Sequence, residues 1–248
     1  MSKTSRSTPL HYWISDRKIR LHRDLHLAPS VIEDALHSTN RLFETLTEAS
    51  PYVYRLLGMR NLSAFVGEAY GSELAAASGR LLILNPHQDG YPDLLQMDSP
   101  GLQQLEISPP REKAPFSPFP TGGIEVKATC GDVPSAKQLA SRGLEKPDLG
   151  DTRIKLISGI TWKAHHRETN HLIGILWDFI DGLPTITAVA YADDLCEEDW
   201  GEIITPKKGG GRTTSVSIMK KSGVQKMCRN PVALLEGPYT RLIQKKAN

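Results

Sequence analysis

The chain lacks any apolar run approaching the roughly twenty residues that a membrane-spanning helix needs. Its longest, HLIGILWDFI at 171–180, is interrupted by Asp178, so no such helix is expected. The opening residues, MSKTSRSTPLHYW, carry no apolar stretch of the kind found in a secretory leader. Cysteine is scarce: Cys130, Cys196 and Cys228 are the only three, widely spaced and without a C-x-x-C pair. That argues against a disulfide frame or a cysteine zinc site and points to the reducing cytoplasm. There is no internal repeat, no G-x-x-x-x-G-K-[ST] phosphate loop and no G-x-S-x-G nucleophile elbow.

What is present is ordinary in amount and uneven in distribution. Apolar residues make up 39% and charged residues 23% of 248, which suits a globular fold, expected here as a single domain over 1–248. The net charge is only +2. Yet residues 205–248 hold ten lysines and arginines against one acid, Glu236, which leaves the rest of the chain net acidic. A basic segment on an acidic body suggests a polyanion partner for the segment and a cation site in the body; a solvated lysine-rich surface is the plainer alternative.

Residues 28–58 read as one or two helices, marked by Val31, Ile32, Ala35, Leu36, Leu42, Phe43 and Leu46. A further helix is expected from about Asn61 to Ser78, stopping at Gly79. RLLIL then reads as a strand before the turn-rich NPHQDGYP. Pro100, Pro109, Pro110, Pro115, Pro118 and Pro120 crowd the stretch from Asp98 to Gly123, which is expected to be an irregular excursion, since proline lacks the backbone donor. GGIEVKATC is a short strand, residues 133–146 look weakly helical and TRIKLISGITW looks extended. NHLIGILWDFIDGLPTITAVAYADDL reads as two strands joined at Asp181-Gly182-Leu183-Pro184. The mixture predicts a layered α/β fold, a central mixed sheet flanked by helices. Its catalytic core is expected at about 60–195, with a basic C-terminal segment at about 205–248.

Side chains alternate along a strand, so Ile124 and Val126 face one way and Glu125 and Lys127 the other. A buried carboxylate and ammonium are costly unless they serve each other or a metal. The preceding helix offers a third acid. At about 100° per residue from Leu62, the residues Phe65, Val66, Ala69, Ala76 and Ala77 fall within roughly 60°, Glu73 near 20° and Glu68 near 240°. Glu73 is therefore the acid expected to point inward. Convergence of Glu73, Asp93, Glu125 and Lys127 would suit a hard cation such as Mg²⁺ and the hydrolysis of phosphodiesters, with Lys127 beside the attacking water.

Pro92-Asp93 followed by Glu125-Val126-Lys127 resembles the signature of the PD-(D/E)XK nuclease superfamily, and the size of the chain, its tryptophan-aspartate strand and its basic C-terminal segment resemble the type II restriction endonucleases within it. The likeness covers about 60–130. The stretch between the two half-motifs is longer than in the tight form, and Asp89 and Asp98 compete with Asp93. The resemblance implies a restriction-endonuclease-like fold, with Mg²⁺ held at Asp93, Glu125 and Val126. It implies a homodimer that cuts double-stranded DNA at a short specific site. A structure-specific or repair nuclease on the same fold, a catalytically inert DNA-binding module and an unrelated hydrolase are the alternatives.

Other segments can be placed against that expectation. In KKGGGRTTSVSIMKKSG, residues 207–223, the glycines permit close approach to phosphate. Thr213, Thr214 and Ser215 offer hydroxyls, Arg212 is the candidate for reading guanine, and Lys220 and Lys221 are candidates for phosphate contacts. WKAHHRETNH places His165, His166 and His171 together; contact of His165 and His166 with DNA, or closure of a hydrogen-bonded loop, is favoured over a zinc site. DDLCEEDW, residues 193–200, reads as an exposed helix start rather than a second metal site.

Overall fold

The computed structural model describes residues 6–50, 52–206 and 214–248. Its centre is a seven-stranded mixed sheet in the order β1-β11-β9-β8-β6-β5-β4. The strands are β1 (Tyr12–Ile14), β4 (Leu82–Leu84), β5 (Leu94–Gln96), β6 (Gly123–Thr129), β8 (Leu172–Ile180), β9 (Leu183–Ala192) and β11 (Pro231–Leu235). Short pairs β2 (Ile19–Arg20) with β3 (His26–Leu27), and β7 (Lys163–Ala164) with β10 (Ser217–Ile218), lie outside it. Only β6 and β8 run parallel. A parallel pair needs a long crossover, and residues 130–171 supply it, with the five-residue helix α4 (Ala136–Ala140) inside.

Helices cover both faces of the sheet. The residues Ile173, Ile175, Trp177 and Phe179 of β8 join α1 (Pro29–Ala49) and α2 (Val53–Ala77) in one core. Leu172 and Leu176 point the other way, into a second core with α5 (Lys221–Arg229) and α6 (Pro238–Ala247). The near-continuous apolar run is thus a strand buried on both faces. Its hairpin turns at Asp181 (φ 54°) and Gly182 (φ 78°), the left-handed pair that matches strand twist. Leu183 and Pro184, expected in that turn, already belong to β9.

Helix α2 is two helical pieces meeting at a break at Gly58 (φ 64°), and the second piece agrees with the helix expected from about Asn61 to Ser78. Other expectations are corrected. The proline-rich excursion contains a nine-residue helix, α3 (Ser99–Ile107), capped by the Asp98 side chain, which accepts from Gly101 N. Pro100 sits in its first turn, where the missing N–H has no helical partner to lose. TRIKLISGITW is not extended: turns and one isolated bridge, Asp132 to Gly159, hold it. The acids of DDLCEEDW do not open a full helix. Only a 3-10 turn forms there, and buried Asp199 pairs with Lys226 at 2.8 Å.

The basic C-terminal segment is no separate attachment, since β11 lies between β1 and β9 and α5 and α6 close one core. Some of its cations are internal: Lys226 on Asp199, Arg229 on Ala247 O and Lys246 on Ser158 O.

Strand β6 approaches its neighbours without slack. A Cβ at Gly123 would lie 1.9 Å from Leu94 O on β5, a backbone atom that cannot swing away. Gly123→Ala is therefore expected to cost about 1–3 kcal/mol, read from the urea unfolding midpoint; an unchanged midpoint would contradict this packing.

Candidate functional site

Asp93 immediately precedes β5 and Glu125 and Lys127 stand two residues apart on the adjoining β6, so antiparallel pairing of Leu94 with Ile124 brings all three together. Lys127 Nζ lies 2.9 Å from Asp93 Oδ2 and 2.6 Å from Glu125 Oε1. The backbone ties the acids as well. Val126 N donates to Asp93 Oδ2 at 2.8 Å, and Asp93 N donates to Glu125 Oε2 at 3.2 Å. Val126 takes part only through its main chain, because its side chain is buried in the core with α2.

The two residues that competed with Asp93 are elsewhere. Asp98 caps α3 and pairs with Arg23, and Asp89 is exposed on the preceding turn.

Two negative groups share one positive group in a buried place. Burial pushes the Glu125 carboxyl up from its ordinary range, Lys127 pulls it back and Asp93 pushes it up again. Burial alone would lower Lys127, but Glu125 and Asp93 together outweigh it and hold the ammonium above its usual value. The triad carries a net negative charge when ionised, so it attracts a cation.

The helical acid at the site is Glu68, not Glu73. Glu68 lines the same cleft as Asp93 and Lys127, and its carboxyl is pushed up by burial and by Asp93. Glu73 is half-buried on α2 and is not part of the cleft lining. The helical wheel misplaced the sheet-facing side because it gave no weight to glycine. Gly67 and Gly71 present bare backbone to Ala128 and Val126 of β6, and Tyr70 and Leu74 are buried beside them. That turns the inward face by nearly a quarter-turn and carries Glu68 to the edge of the cleft.

The cleft holds about 990 Å³. One wall is α2 with the turn around His87 and Gln88; the opposite wall includes Thr161, Lys163, His165, Thr214 and Val216. His165 and Thr214 were expected to meet DNA, and both are on this wall. Ser215 contributes its carbonyl, 2.9 Å from His165 Nδ1. Exposed Lys220 and Lys221 begin α5 and are not among the cleft-lining residues. Arg212 and Thr213 lie outside the described residues. Lys163, Thr161 and Gln88 were missed, and only the pairing of β7 with β10 could have pointed to the first two.

His166 lies beside Glu125 and is not among the cleft-lining residues. Its ring stacks on Tyr91 with centroids 3.8 Å apart, and its Nε2 is 3.8 Å from Glu125 Oε1. Burial, then Lys127, lowers its pKa to about 4. His171 is in a different neighbourhood, stacked on His22 at 3.9 Å and 2.8 Å from the Tyr191 hydroxyl.

Asp93, Glu125 and the main chain at Val126 are oxygen donors of the kind a hard divalent ion would take. Among the described residues no three His, Cys, Asp or Glu side chains form a self-sufficient metal cage. Mg²⁺ does not need one, since it binds through one or two carboxylates and takes its other ligands from water and phosphate. The repulsion between Asp93 and Glu125 marks a place where an added positive charge would be accommodated.

Comparison with family models, with curated proteins and with solved structures finds no match to this chain. Among the described residues no helix is long and apolar enough to cross a membrane.

Burial, then the neighbouring His22, lowers the His171 pKa from 6.5 to about 4. A base depressed in the fold stabilises fully above its unfolded pKa, and that contribution is lost as pH falls through the folded value. Stability is expected to decline between pH 6.5 and about 4, and His171→Gln to decline less steeply over that window. Parallel pH profiles of the urea midpoint for the two proteins would contradict the assignment.

Proposed function

We propose that the protein is a Mg²⁺-dependent nuclease that hydrolyses phosphodiester bonds in double-stranded DNA at a short specific site, with the restriction-endonuclease-like character that its motif resembles. The observation that carries this is the Lys127 ammonium lying between Asp93 and Glu125 and lining, with Asp93, a cleft of about 990 Å³. Asp93 and Glu125, with the main chain at Val126, would hold the metal. The bound ion would neutralise charge on the phosphate and make a bound water more acidic.

The chain's own groups divide the remaining work. Lys127 is kept protonated by its two acids, so it can steady a hydroxide by charge and by hydrogen bonding. Glu68 adds negative charge at the cleft edge and can accept a proton there, since its carboxyl is pushed up. Lys163, His165 and Thr214 line the opposite wall and would meet the phosphate backbone, with Arg212 the candidate for a base edge. A homodimer would place two such clefts on the two strands of a pseudo-twofold site. The reducing cytoplasm is the compartment in which three unpaired cysteines would persist.

A catalytically inert DNA-binding module is the second reading. It is favoured by one observation: Lys127 already satisfies both acids without a metal.

Incubation of a fully sequenced plasmid with Mg²⁺ or with EDTA tests the choice. Discrete fragments that require Mg²⁺ are expected. Cutting confined to branched substrates would indicate a structure-specific nuclease, and a gel shift without cutting would indicate the binding module. Lys127→Ala should slow cleavage by at least about 10²-fold while DNA is still bound; near-parental cleavage would remove Lys127 from the chemistry. Binding should also weaken steeply with added salt, because phosphate contacts release counterions; a flat salt response would refute phosphate-backbone binding in the cleft.

A further inference from the structure

We propose that His166 is a positioning residue of the metal centre, holding the Glu125 carboxylate through its Nε2–H, an inference that rests on the metal-dependent activity proposed above. The ring is fixed on every side but one. Tyr91 covers its face at 3.8 Å with an interplanar angle of 27°. The Tyr91 hydroxyl donates to Glu168, two residues beyond His166, so the stacking ring is itself anchored to the segment it covers. The Thr169 hydroxyl meets Nδ1 at 3.3 Å, which leaves Nε2 as the ring nitrogen still to be satisfied.

That nitrogen is buried and has no hydrogen-bond partner among the described residues. The acceptor it faces is Glu125 Oε1, 3.8 Å away, while the same oxygen is drawn to Lys127 Nζ at 2.6 Å. A gap of 3.8 Å is too long for a hydrogen bond and is closed by a carboxylate shift of about 1 Å. Carboxylates that ligate a cation are themselves held by hydrogen bonds from neighbours, and those neighbours fix the ligand's orientation. Lys127 divides its three donors between Asp93, Glu125 and a water, whereas His166 would serve Glu125 alone. Tyr91 lies two residues before Asp93, so the same packed unit fixes the segment that supplies the other acid.

The test is Mn²⁺ binding by calorimetry and by electron paramagnetic resonance, without DNA. His166→Phe keeps the ring stacked on Tyr91 and removes the N–H; His166→Gln restores a donor. Should the Phe variant fail to fold, as judged by circular dichroism, His166→Ala replaces it. Loss of the donor is expected to weaken Mn²⁺ binding by about 10–100-fold, and the Gln variant to recover most of it. In a Glu125→Gln background the same substitution should add no further loss, because His166 acts through Glu125. Unchanged Mn²⁺ affinity in His166→Phe would overturn the proposal and leave the nuclease reading standing. An equal further loss in the Glu125→Gln background, or a direct nitrogen coupling to Mn²⁺ in the parent, would overturn it likewise. If the parent protein binds no Mn²⁺ at all, both this proposal and the metal-dependent function fall.

Discussion

One ammonium held between two carboxylates is the constraint around which the chain is arranged. Asp93 and Glu125 repel each other, and burial removes the water that would screen them. Lys127 offsets that repulsion only if the three groups stay within about hydrogen-bonding distance. The fold enforces this through the backbone rather than through side-chain packing alone. Strands β5 and β6 are paired, Val126 N holds Asp93 and Asp93 N holds Glu125. A one-residue slip of β6 along β5 would place Glu125 and Lys127 on the core face and the apolar pair at the cleft.

The rest of the architecture keeps those two short strands in place. Strand β5 has only three residues and would not persist alone. It is held by β4 on one side and β6 on the other, and β6 in turn leans on the long buried hairpin of β8 and β9. Helix α2 presses its glycine-bearing face against β6 from one layer, and α5 and α6 close the opposite layer. The C-terminal cations therefore have two kinds of work. Lys226, Arg229 and Lys246 join parts of the fold, while exposed Lys220 and Lys221 remain available to an external anion.

The proposed chemistry and the proposed binding surface would meet in the cleft. It is lined by Glu68, Asp93 and the Lys127 ammonium, and also by Lys163, His165 and Thr214 from the neighbourhood of the small β7–β10 ribbon. A polyanion approaching such acids needs an intervening cation, whereas Lys163, His165 and Thr214 can meet it directly. This division of charge is the physical ground for reading the acids as a place of hydrolysis and the other three as a place of binding.

Local pattern was enough for part of this. The alternation in GGIEVKATC placed Glu125 and Lys127 on one face, the near-continuous apolar run pointed to two joined strands, and Asp181-Gly182-Leu183-Pro184 located the turn, of which only the first two residues lie outside the strands. These features depend on neighbours within a few residues, and so they were legible. Glu68 was not, because the sheet-facing side of α2 is defined by Gly67 and Gly71, whose value lies in lacking a side chain rather than in being apolar. Helix α3 was hidden among prolines whose effect depends on position within a turn. His166 was expected to contact DNA or to close a hydrogen-bonded loop, and its bond to Thr169 before β8 is such a closure; its place beside Glu125 was not legible, because it arises from the crossover between β6 and β8, which brings Tyr91 and His166 face to face across more than seventy residues of chain. The sequence by itself determined which groups could do chemistry, since that follows from residue type and strand period. Only the tertiary structure decided which of them meet, because strand order and the side from which a helix approaches are settled by packing between segments far apart in the chain.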